Sequence, residues 1–219
     1  MAANPSDNGG MLRASASGDL QTLLRNASTR SMFFLQQYIL RPALIGAVAP
    51  SSQALAREMM DWLELDRAQA VLEVGPGTGA FTKALLPRVR KNCRVVLIEL
   101  NADFVATLRR TFPGVTIYNE SVANARSICD REGIAQVDCI VSGLPWASFP
   151  PALQKSCLAA IAGVLRPGGQ FVTFAYRGVD MLPRARHFKD NLDRCFGEVT
   201  TSRTVTWNLP PAAVYRCRL

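Results

Sequence analysis

One stretch of sequence decides the fold of this chain: Val71-Leu72-Glu73-Val74-Gly75-Pro76-Gly77-Thr78-Gly79-Ala80-Phe81. A short apolar run, typical of a buried strand, leads into three glycines at alternate positions, and an apolar helical pattern begins directly after them. Glycine is needed where a chain turns sharply and lies against a ligand, because a Cβ would collide there. The stretch therefore predicts a nucleotide-binding turn at the start of an α/β unit.

The spacing of the glycines separates two kinds of nucleotide site. Dinucleotide-binding turns follow the pattern G-x-G-x-x-G and hold a pyrophosphate at the helix N-terminus. Here the glycines alternate, and an acidic residue that would repel a pyrophosphate precedes them by two positions. This arrangement resembles the first motif of the class I S-adenosylmethionine-dependent methyltransferases, whose cofactor carries an amino-acid tail. The resemblance implies S-adenosylmethionine as the cofactor and places five residues in its site: Glu73, Gly75, Gly77, Thr78 and Gly79.

A second acidic residue supports the same interpretation. Residues 94–99 form an apolar, β-branched strand pattern that ends in Glu99. An acid about 20 residues after the glycine turn is placed to accept hydrogen bonds from ribose hydroxyls. Without the glycine turn, a helix-capping or solvated acid would be the simpler interpretation of Glu99. The resemblance adds three cofactor residues at strand ends: Leu100, Glu120 and Ser121. It places Glu120 near the adenine amino group.

The composition is that of a basic globular protein. The 219 residues carry a net charge of +8 with a pI near 9.6, which favours an anionic partner, either nucleic acid or acidic lipid headgroups. A basic protein that merely stays soluble is the alternative. Six scattered cysteines and a single histidine predict neither a zinc site nor a disulfide framework, so no metal is expected. The sequence shows no secretory signal and no apolar run of roughly 18 residues, so a cytoplasmic location is expected.

The N-terminal region differs from the rest of the chain. Residues 1–18 are rich in Ala, Ser, Asn and Gly without periodicity and are expected to be disordered. Residues 19–41 form an amphipathic helical pattern whose apolar face is widened by Phe33 and Phe34. Two interpretations of this helix stay open from periodicity: it packs on the core, or it lies in a membrane interface with its arginines toward anionic headgroups. Residues 42–219 are expected to form the methyltransferase domain.

Strand and helix patterns alternate through that domain. Strands are predicted at 69–74, 94–99, 115–118, 137–142, 170–176, 199–207 and 213–218. Helices are predicted from Ser51 or Ser52 to Leu65, after Gly79, and at 102–112 and 152–165. The last two strands have no helix between them and should pair as an antiparallel hairpin. The predicted fold is α/β and Rossmann-like, with a seven-stranded, mostly parallel sheet whose ligand lies at the carboxyl ends of the strands.

The loop after the fourth strand bears on the substrate. Adenine-N6 and rRNA dimethyladenosine methyltransferases carry an Asn or Asp there, followed by Leu or Pro, Pro and an aromatic residue. This chain has Ser142-Gly143-Leu144-Pro145-Trp146, so the Leu-Pro-aromatic part is kept and the amide is absent. A serine hydroxyl cannot reproduce the two-point grip of an amide. An rRNA adenine methyltransferase is therefore an alternative function, and nucleic acid an unfavoured partner.

More of the chain resembles the bacterial phospholipid N-methyltransferases, which convert phosphatidylethanolamine stepwise to phosphatidylcholine. The resemblance runs from about Phe33 to Leu219 and rests on segments in a shared order: Phe33-Phe34, Arg41-Pro42, residues 46–52 (Gly-Ala-Val-Ala-Pro-Ser-Ser), residues 72–79, residues 141–145, Phe149-Pro150, Ala175-Tyr176 and residues 208–212 (Asn-Leu-Pro-Pro-Ala). It implies that helix 19–41 binds an anionic membrane surface, so that the enzyme is peripheral to the cytoplasmic membrane. It also implies that Ser51, Ser52 and Ser142 lie in the cofactor site. Related enzymes methylate ornithine lipids, and the sequence does not separate the two substrates.

Several residues are candidates for handling a lipid amine. An alkylammonium has a pKa near ~10 and must lose a proton before it attacks the sulfonium methyl. Tyr176, at the end of the fifth strand, is the candidate to orient the amine or relay its proton, with Ser142 as a second catalytic candidate and His187 as a weak general-base candidate. Trp146, Phe149 and Tyr176 are predicted to surround the methylated ammonium. The remaining substrate candidates are Leu144 and Pro145 in the loop, and a cationic group for the lipid phosphate: Arg177, Arg184, Arg186 and Lys189.

Overall fold

The computed structural model describes residues 51–178 and 183–219. The predicted disordered residues 1–18 and the predicted helix 19–41 lie outside these ranges. The described chain forms one seven-stranded sheet with strand order β3-β2-β1-β4-β5-β7-β6. Its strands are β1 (Ala70–Val74), β2 (Arg94–Ile98), β3 (Thr116–Tyr118), β4 (Val137–Ser142), β5 (Leu165–Tyr176), β6 (Glu198–Thr201) and β7 (Ala212–Arg218).

Helices connect the strands. They are α1 (Gln53–Met60), α2 (Ala80–Leu85), α3 (Ala102–Thr111), α4 (Ala125–Arg131), α5 (Pro151–Ala162) and α6 (Pro183–Cys195). Strands β1 to β5 pair in parallel, whereas β7 runs antiparallel to both β5 and β6. The Rossmann-like α/β fold, with a mostly parallel seven-stranded sheet and a C-terminal antiparallel hairpin, is thus confirmed.

The sheet is buried on both faces, which is why its central strands are nearly continuous apolar runs. All five residues of β1 are buried. Leu72 and Val74 belong to one core cluster together with Phe171, and Val71 belongs to a second cluster together with Leu55 of α1. Because side chains alternate along a strand, these two clusters lie on opposite faces of the sheet. The carboxyl ends of β1, β2, β4 and β5 meet at one edge, where the functional site is expected.

Several element ends differ from the sequence prediction. Strand β5 begins at Leu165 instead of 170, because the pairing with β4 shifts between Val137↔Leu165 and Cys139↔Gln170 and so absorbs the Pro-Gly-Gly segment as a bulge. Strand β6 ends at Thr201 instead of 207, because the Ser202 hydroxyl accepts a hydrogen bond from the Val214 amide, 3.0 Å away. Helix α1 ends at Met60 instead of 65, and neither α4 nor α6 was individually predicted.

Candidate active site

The glycine turn lies between β1 and α2 and is shaped by left-handed backbone. Gly75, Gly77 and Gly79 have φ angles of 66°, 56° and 85°, a region that other residues rarely adopt. A Cβ at Gly75 would lie 2.6 Å from Leu144 Cδ2, and one at Gly79 would lie 2.5 Å from Phe112 Cε2. A Cβ at Gly77 would have no atom of the described residues within 4 Å. The middle glycine therefore faces open space that a side chain would fill.

The loop after β4 packs directly on this turn. A Cβ at Gly143 would lie 2.4 Å from the carbonyl oxygen of Gly75, so the two backbones touch and position 143 requires glycine. The Gly143 amide donates to the carbonyl of Val74 at 2.9 Å, and the Gly75 amide donates to Ile98 at 2.9 Å. Sequence reasoning did not assign a role to Gly143. Its position directly after a buried strand, matching the position of Gly75, was the available indication.

Glu99 supports the turn from β2. Its side chain is 7% exposed, with Oε2 accepting from the Gly77 amide at 3.0 Å and Oε1 from the Asn101 amide at 2.8 Å. Burial raises the pKa of Glu99, and these backbone donors offset part of the rise. Asn119 donates to the carbonyls of Glu99 and Leu100, at 3.0 and 2.9 Å, and so holds the β2 end in place. The structure thus brings Glu99 to the glycine turn, and it adds Asn101 and Asn119, which sequence reasoning missed.

Glu73 is buried without a partner. It is the penultimate residue of β1 and is 0% exposed, and neither of its carboxyl oxygens has a hydrogen-bond partner among the described residues. Burial raises the pKa of Glu73 to about 8; the neighbouring Thr82 lowers it in part, although neither its amide nor its hydroxyl reaches hydrogen-bond geometry. A buried carboxyl group without a partner is costly in a folded protein. Such a group beside a glycine turn is a candidate binding residue, as the sequence predicts for Glu73.

The remaining cofactor candidates lie at the same edge of the sheet. Ser121 caps the short 3₁₀ helix Val122–Asn124 by accepting from the Ala123 amide at 3.2 Å. Glu120 is held by Arg131 at 2.5 Å and by Asn124 at 3.0 Å. Both carboxyl oxygens of Glu120 thus have protein partners, so the adenine role predicted for this residue requires it to accept a further bond.

The Ser51–Ser52 segment meets the C-terminal loop. Ser52 caps α1 by accepting from the Leu55 amide at 3.1 Å, and the Ser52 amide donates to Asn208 Oδ1 at 2.8 Å. Ser51 is half-buried beside it. Two segments that are 156 positions apart in the chain, both part of the sequence resemblance, are therefore joined by one partly buried hydrogen bond.

Ser142 is where the structure corrects the sequence prediction. Its side chain is 0% exposed, and its hydroxyl oxygen accepts from Trp146 Nε1 at 3.1 Å and from the Leu144 amide at 3.3 Å. A serine oxygen has two acceptor lone pairs, and both are used here. Ser142 therefore positions the loop instead of facing the substrate amine. Leu144 and Pro145 are half-buried in that loop, with Leu144 packed over Gly75.

The predicted aromatic surround is not assembled. Trp146 is 2% exposed, stacks on Phe188 with ring centroids 4.7 Å apart, and donates through Nε1 to Thr173 as well as Ser142. Phe149, 8% exposed, packs edge-on against Trp146 in the same core cluster. Tyr176 packs against the cluster on the other face of the sheet, with its ring 5.3 Å from that of Phe174. The Trp146 indole was predicted at the substrate site because the residue follows a strand end. Stacking on Phe188 of α6 buries it in the core instead.

The cationic candidates lie at the surface. Arg177 follows β5 and donates through Nε to the Thr204 hydroxyl at 2.9 Å. Arg184, Arg186 and His187 are exposed on α6. Lys189 is paired with Asp193 at 2.6 Å, which removes it from the group predicted to hold a phosphate.

Comparison with known proteins identifies the family. A sequence profile described as a methyltransferase domain matches residues 71–169. The chain is 34% identical to the ornithine lipid N-methyltransferase of Singulisphaera acidiphila over 188 residues, which is 84% of this chain and 94% of that protein. The chain belongs to the class I S-adenosylmethionine-dependent methyltransferases. Its cofactor is S-adenosylmethionine, and the enzyme is a methyltransferase.

Two further similarities place this methyltransferase among its relatives. It is 27% identical over 101 residues to ribosomal RNA small subunit methyltransferase A of Fusobacterium nucleatum, covering 46% of this chain and 37% of that protein. The solved structure of the Burkholderia thailandensis 1,6-didemethyltoxoflavin-N1-methyltransferase aligns with a TM-score of 0.58 at 19% identity, covering 98% of this chain and 93% of that one. At this identity the structural likeness supports the fold alone.

The residues present fit the methyltransferase cofactor. Among the described residues, the space at Gly77 is open to a ligand against the backbone, and the carboxyl oxygens of Glu73 have no partner. Glu99 presents a carboxylate beside Gly77. S-adenosylmethionine offers hydroxyl and ammonium donors that such carboxyl groups accept. When bound, it supplies an activated methyl group, and the protein's own task is to orient the acceptor and exclude water.

Metal sites and membrane spans are two other features that the described residues lack. Within residues 51–178 and 183–219, no group of three or more His, Cys, Asp or Glu side chains is arranged to hold a metal ion. Across the same ranges, none of the helices has both the length and the apolar character needed to cross a bilayer.

The Glu73→Gln substitution should stabilise the cofactor-free methyltransferase. The folded protein keeps the Glu73 proton up to about pH 8, whereas the unfolded chain loses it near pH 4.5, the ordinary pKa of the group. Stability of the wild type should therefore fall as pH rises from 4.5 to 8 and level off above, a loss of roughly 3 kcal/mol by pH 7. Glutamine removes that slope. Urea unfolding between about pH 5 and 9 measures it, with the exposed Glu198→Gln as control; equal slopes in wild type and Glu73→Gln would contradict the assignment.

The Trp146→Ala substitution should act on stability and not on substrate preference. It empties a core position and leaves the hydroxyls of Ser142 and Thr173 without their shared donor, so a loss of about 3–5 kcal/mol is expected. Denaturant unfolding measures this, and Trp207→Ala, at an 87% exposed tryptophan, is the matched control with less than about 0.5 kcal/mol expected. Unchanged stability, with selective loss of the later methyl transfers, would restore Trp146 to the substrate site.

Proposed function

We propose that this methyltransferase transfers methyl groups to the amine of a membrane-lipid headgroup. The observation that carries the proposal is the 34% identity to a lipid N-methyltransferase over nearly the whole length of that relative. The rRNA enzymes, in contrast, match this chain over less than half of their own length. A lipid amine also suits the loop after β4, because the Ser142 hydroxyl oxygen already accepts hydrogen bonds from Trp146 and Leu144.

The residues of this chain support an aliphatic amine as acceptor. An adenine amino group is planar and needs a side-chain carbonyl acceptor to orient it, and Ser142 offers none. A lipid amine is a stronger nucleophile that must first lose a proton. Tyr176, half-buried at the end of β5, is the proposed residue that orients the amine and accepts or relays that proton. Exposed Arg177, Arg184 and Arg186 are the proposed partners of the anionic part of the headgroup.

Two lipids meet these requirements. Phosphatidylethanolamine carries a primary amine next to a phosphate, and its stepwise methylation to phosphatidylcholine is the function implied by the sequence resemblance. Ornithine lipid carries a primary amine next to a carboxylate, and the named activity of the Singulisphaera relative favours it as the second candidate. Residues 19–41 are proposed to hold the enzyme at an anionic membrane surface on the cytoplasmic side.

The experiment is lipid mass spectrometry of a bacterial host that makes both amine lipids and methylates neither. Expression of the full chain should produce mono-, di- and trimethylated headgroups, because intermediates that stay in the bilayer can be released and bound again. Mass increments from added methyl groups on phosphatidylethanolamine support the first candidate. The same mass increments on ornithine lipid alone support the second. The Gly77→Val variant is the inactive control. An unchanged lipid profile alongside methylated adenosine in ribosomal RNA would overturn the proposal.

A further inference from the structure

The loop between β6 and β7 (residues 202–211, here the C-terminal loop) presents two large apolar side chains to solvent. Trp207 is 87% exposed and Leu209 is 60% exposed, the two highest values among the large exposed hydrophobic residues that the structure describes. Asn208, between them, is 3% exposed. Single exposed apolar residues are common, but an exposed Trp and Leu on either side of a buried polar residue form a defined arrangement.

Asn208 fixes the direction of its neighbours. Its Oδ1 accepts from the Ser52 amide at 2.8 Å, and its Nδ2 donates to the carbonyl of Pro210 at 2.7 Å. The side chain is thus tied to α1 on one side and to its own loop on the other. These two bonds hold Asn208 inside the turn at 3% exposure, while Trp207 and Leu209 on either side of it are left at the surface.

The C-terminal loop lies at the edge of the sheet that holds the carboxyl ends of the parallel strands, where we place the substrate cleft. Strand β7 pairs antiparallel with β5, bringing Ala212 opposite Tyr176, and the Arg177 amide donates to the carbonyl of Pro211 at 2.7 Å. The loop therefore begins and ends at the same sheet edge as the glycine turn. Its contact with Ser52 connects it to the cofactor side of that edge as well.

The charged residues of the C-terminal loop and of β7 are all basic. The sequence has no Asp or Glu between residues 139 and 179, and none after Glu198. Cations are present in these segments and on the first turn of α6, all of them exposed: Arg177, Arg184, Arg186 and Arg203. A loop that combines an exposed Trp and Leu with an exposed arginine, and carries no acidic residue of its own, is complementary to the headgroup region of an anionic bilayer.

We propose that the C-terminal loop docks on an anionic lipid bilayer, with Trp207 and Leu209 inserted at the headgroup–acyl boundary. The inference rests on the proposed lipid substrate and deepens it, because docking at this edge turns the cleft mouth toward the membrane. The indole suits this position because its ring is apolar and its N–H can bond to headgroups or water. Leu209 adds apolar area, and Arg177 and Arg203 meet the phosphates.

Tryptophan fluorescence tests insertion directly. The chain has three tryptophans; Trp146 is 2% exposed and Trp62 is half-buried, so Trp207 is the one placed to meet lipid. Phosphatidylglycerol vesicles with brominated acyl chains should quench the full-length protein, and the Trp207→Phe variant should lose most of that quenching while still sedimenting with the vesicles. Equal quenching in both proteins, or vesicle binding without quenching, would overturn the proposal. Quenching by aqueous acrylamide is the second check. If Trp207 were already protected from acrylamide before vesicles are added, and its protection did not change on adding them, another segment of the chain would cover the loop and the proposal would be overturned.

A matched pair of leucines tests the contribution to binding. Leu209→Ser removes an exposed leucine at the cleft edge, and Leu219→Ser removes a 37% exposed leucine at the opposite edge of the sheet. Leu209→Ser combined with Trp207→Ser should weaken partition into anionic vesicles by roughly 10-fold or more. Leu219→Ser should leave partition unchanged. Equal partition of the wild type, the Trp207→Ser/Leu209→Ser double variant and the Leu219→Ser variant would contradict the docking surface.

These measurements do not depend on catalysis. Insertion of Trp207 without any methylated lipid would leave the docking surface standing and overturn the proposed function. Methylated lipid without insertion of Trp207 would support the proposed function and overturn the docking surface.

Discussion

Gly77→Val is expected to weaken S-adenosylmethionine binding by about 100-fold or more. Its Cβ would project into the open space that no described atom approaches within 4 Å, so the side chain occupies the ligand's place without striking the fold. The substitution also strains the backbone at φ 56°, which disturbs the hydrogen bond that the Gly77 amide donates to Glu99. Calorimetric titration of the cofactor into the purified variant measures the loss.

Gly114→Val is the matched control. Gly114 also has a positive φ, 89°, a Cβ placed there would have no described atom within 4 Å, and the residue lies in the exposed turn between α3 and β3. Both variants carry a left-handed strain of about 1–2 kcal/mol, so they should lose similar stability. Only Gly77→Val should lose cofactor affinity. Equal affinities in the two variants would remove Gly77 from the cofactor site.

Tyr176→Phe is expected to slow methyl transfer by about 100-fold, because it removes the hydroxyl proposed to orient the amine and take part in proton removal. The phenyl ring keeps its edge-on packing against Phe174, so stability and cofactor affinity should not change. Initial rates on vesicles, compared at saturating cofactor, measure the effect. The loss should be shared by all three methyl transfers, since each requires a neutral amine.

Tyr215→Phe is the control for Tyr176→Phe. Tyr215 is half-buried on the neighbouring strand β7, where it packs against Phe188 at a ring distance of 6.0 Å. Its hydroxyl lies outside the proposed reaction path, so the rate should stay within a few-fold of the wild type. Similar rates in both phenylalanine variants would show that Tyr176 has only a structural role.

The fold could be predicted because its determinants are local in sequence. The Val71–Gly79 stretch combines a buried strand, a left-handed turn and a helix start within nine residues, and Glu99 directly follows the next strand. The element ends were less predictable because they depend on distant partners. Strand β6 stops at Thr201 because Ser202 bonds to Val214, and no local pattern indicates that pairing.

The substrate side of the site was predicted less well for a physical reason. An aromatic residue after a strand end can turn toward the cleft or into the core, and the choice depends on what lies across the fold. Trp146 turns inward because Phe188 of α6 offers a stacking surface and Thr173 of β5 an acceptor. Because Trp146 turns inward, its indole N–H donates to the hydroxyl of Ser142, the residue that the sequence placed at the substrate.

The central claim is tested most directly by following a labelled methyl group. The purified protein is given methyl-labelled S-adenosylmethionine together with vesicles that contain phosphatidylethanolamine and ornithine lipid, and with ribosomal RNA from a strain that lacks adenine dimethylation. The account predicts label in the lipid extract, on one or both amine headgroups, and none in the RNA. Label in the RNA with an unlabelled lipid extract would contradict it.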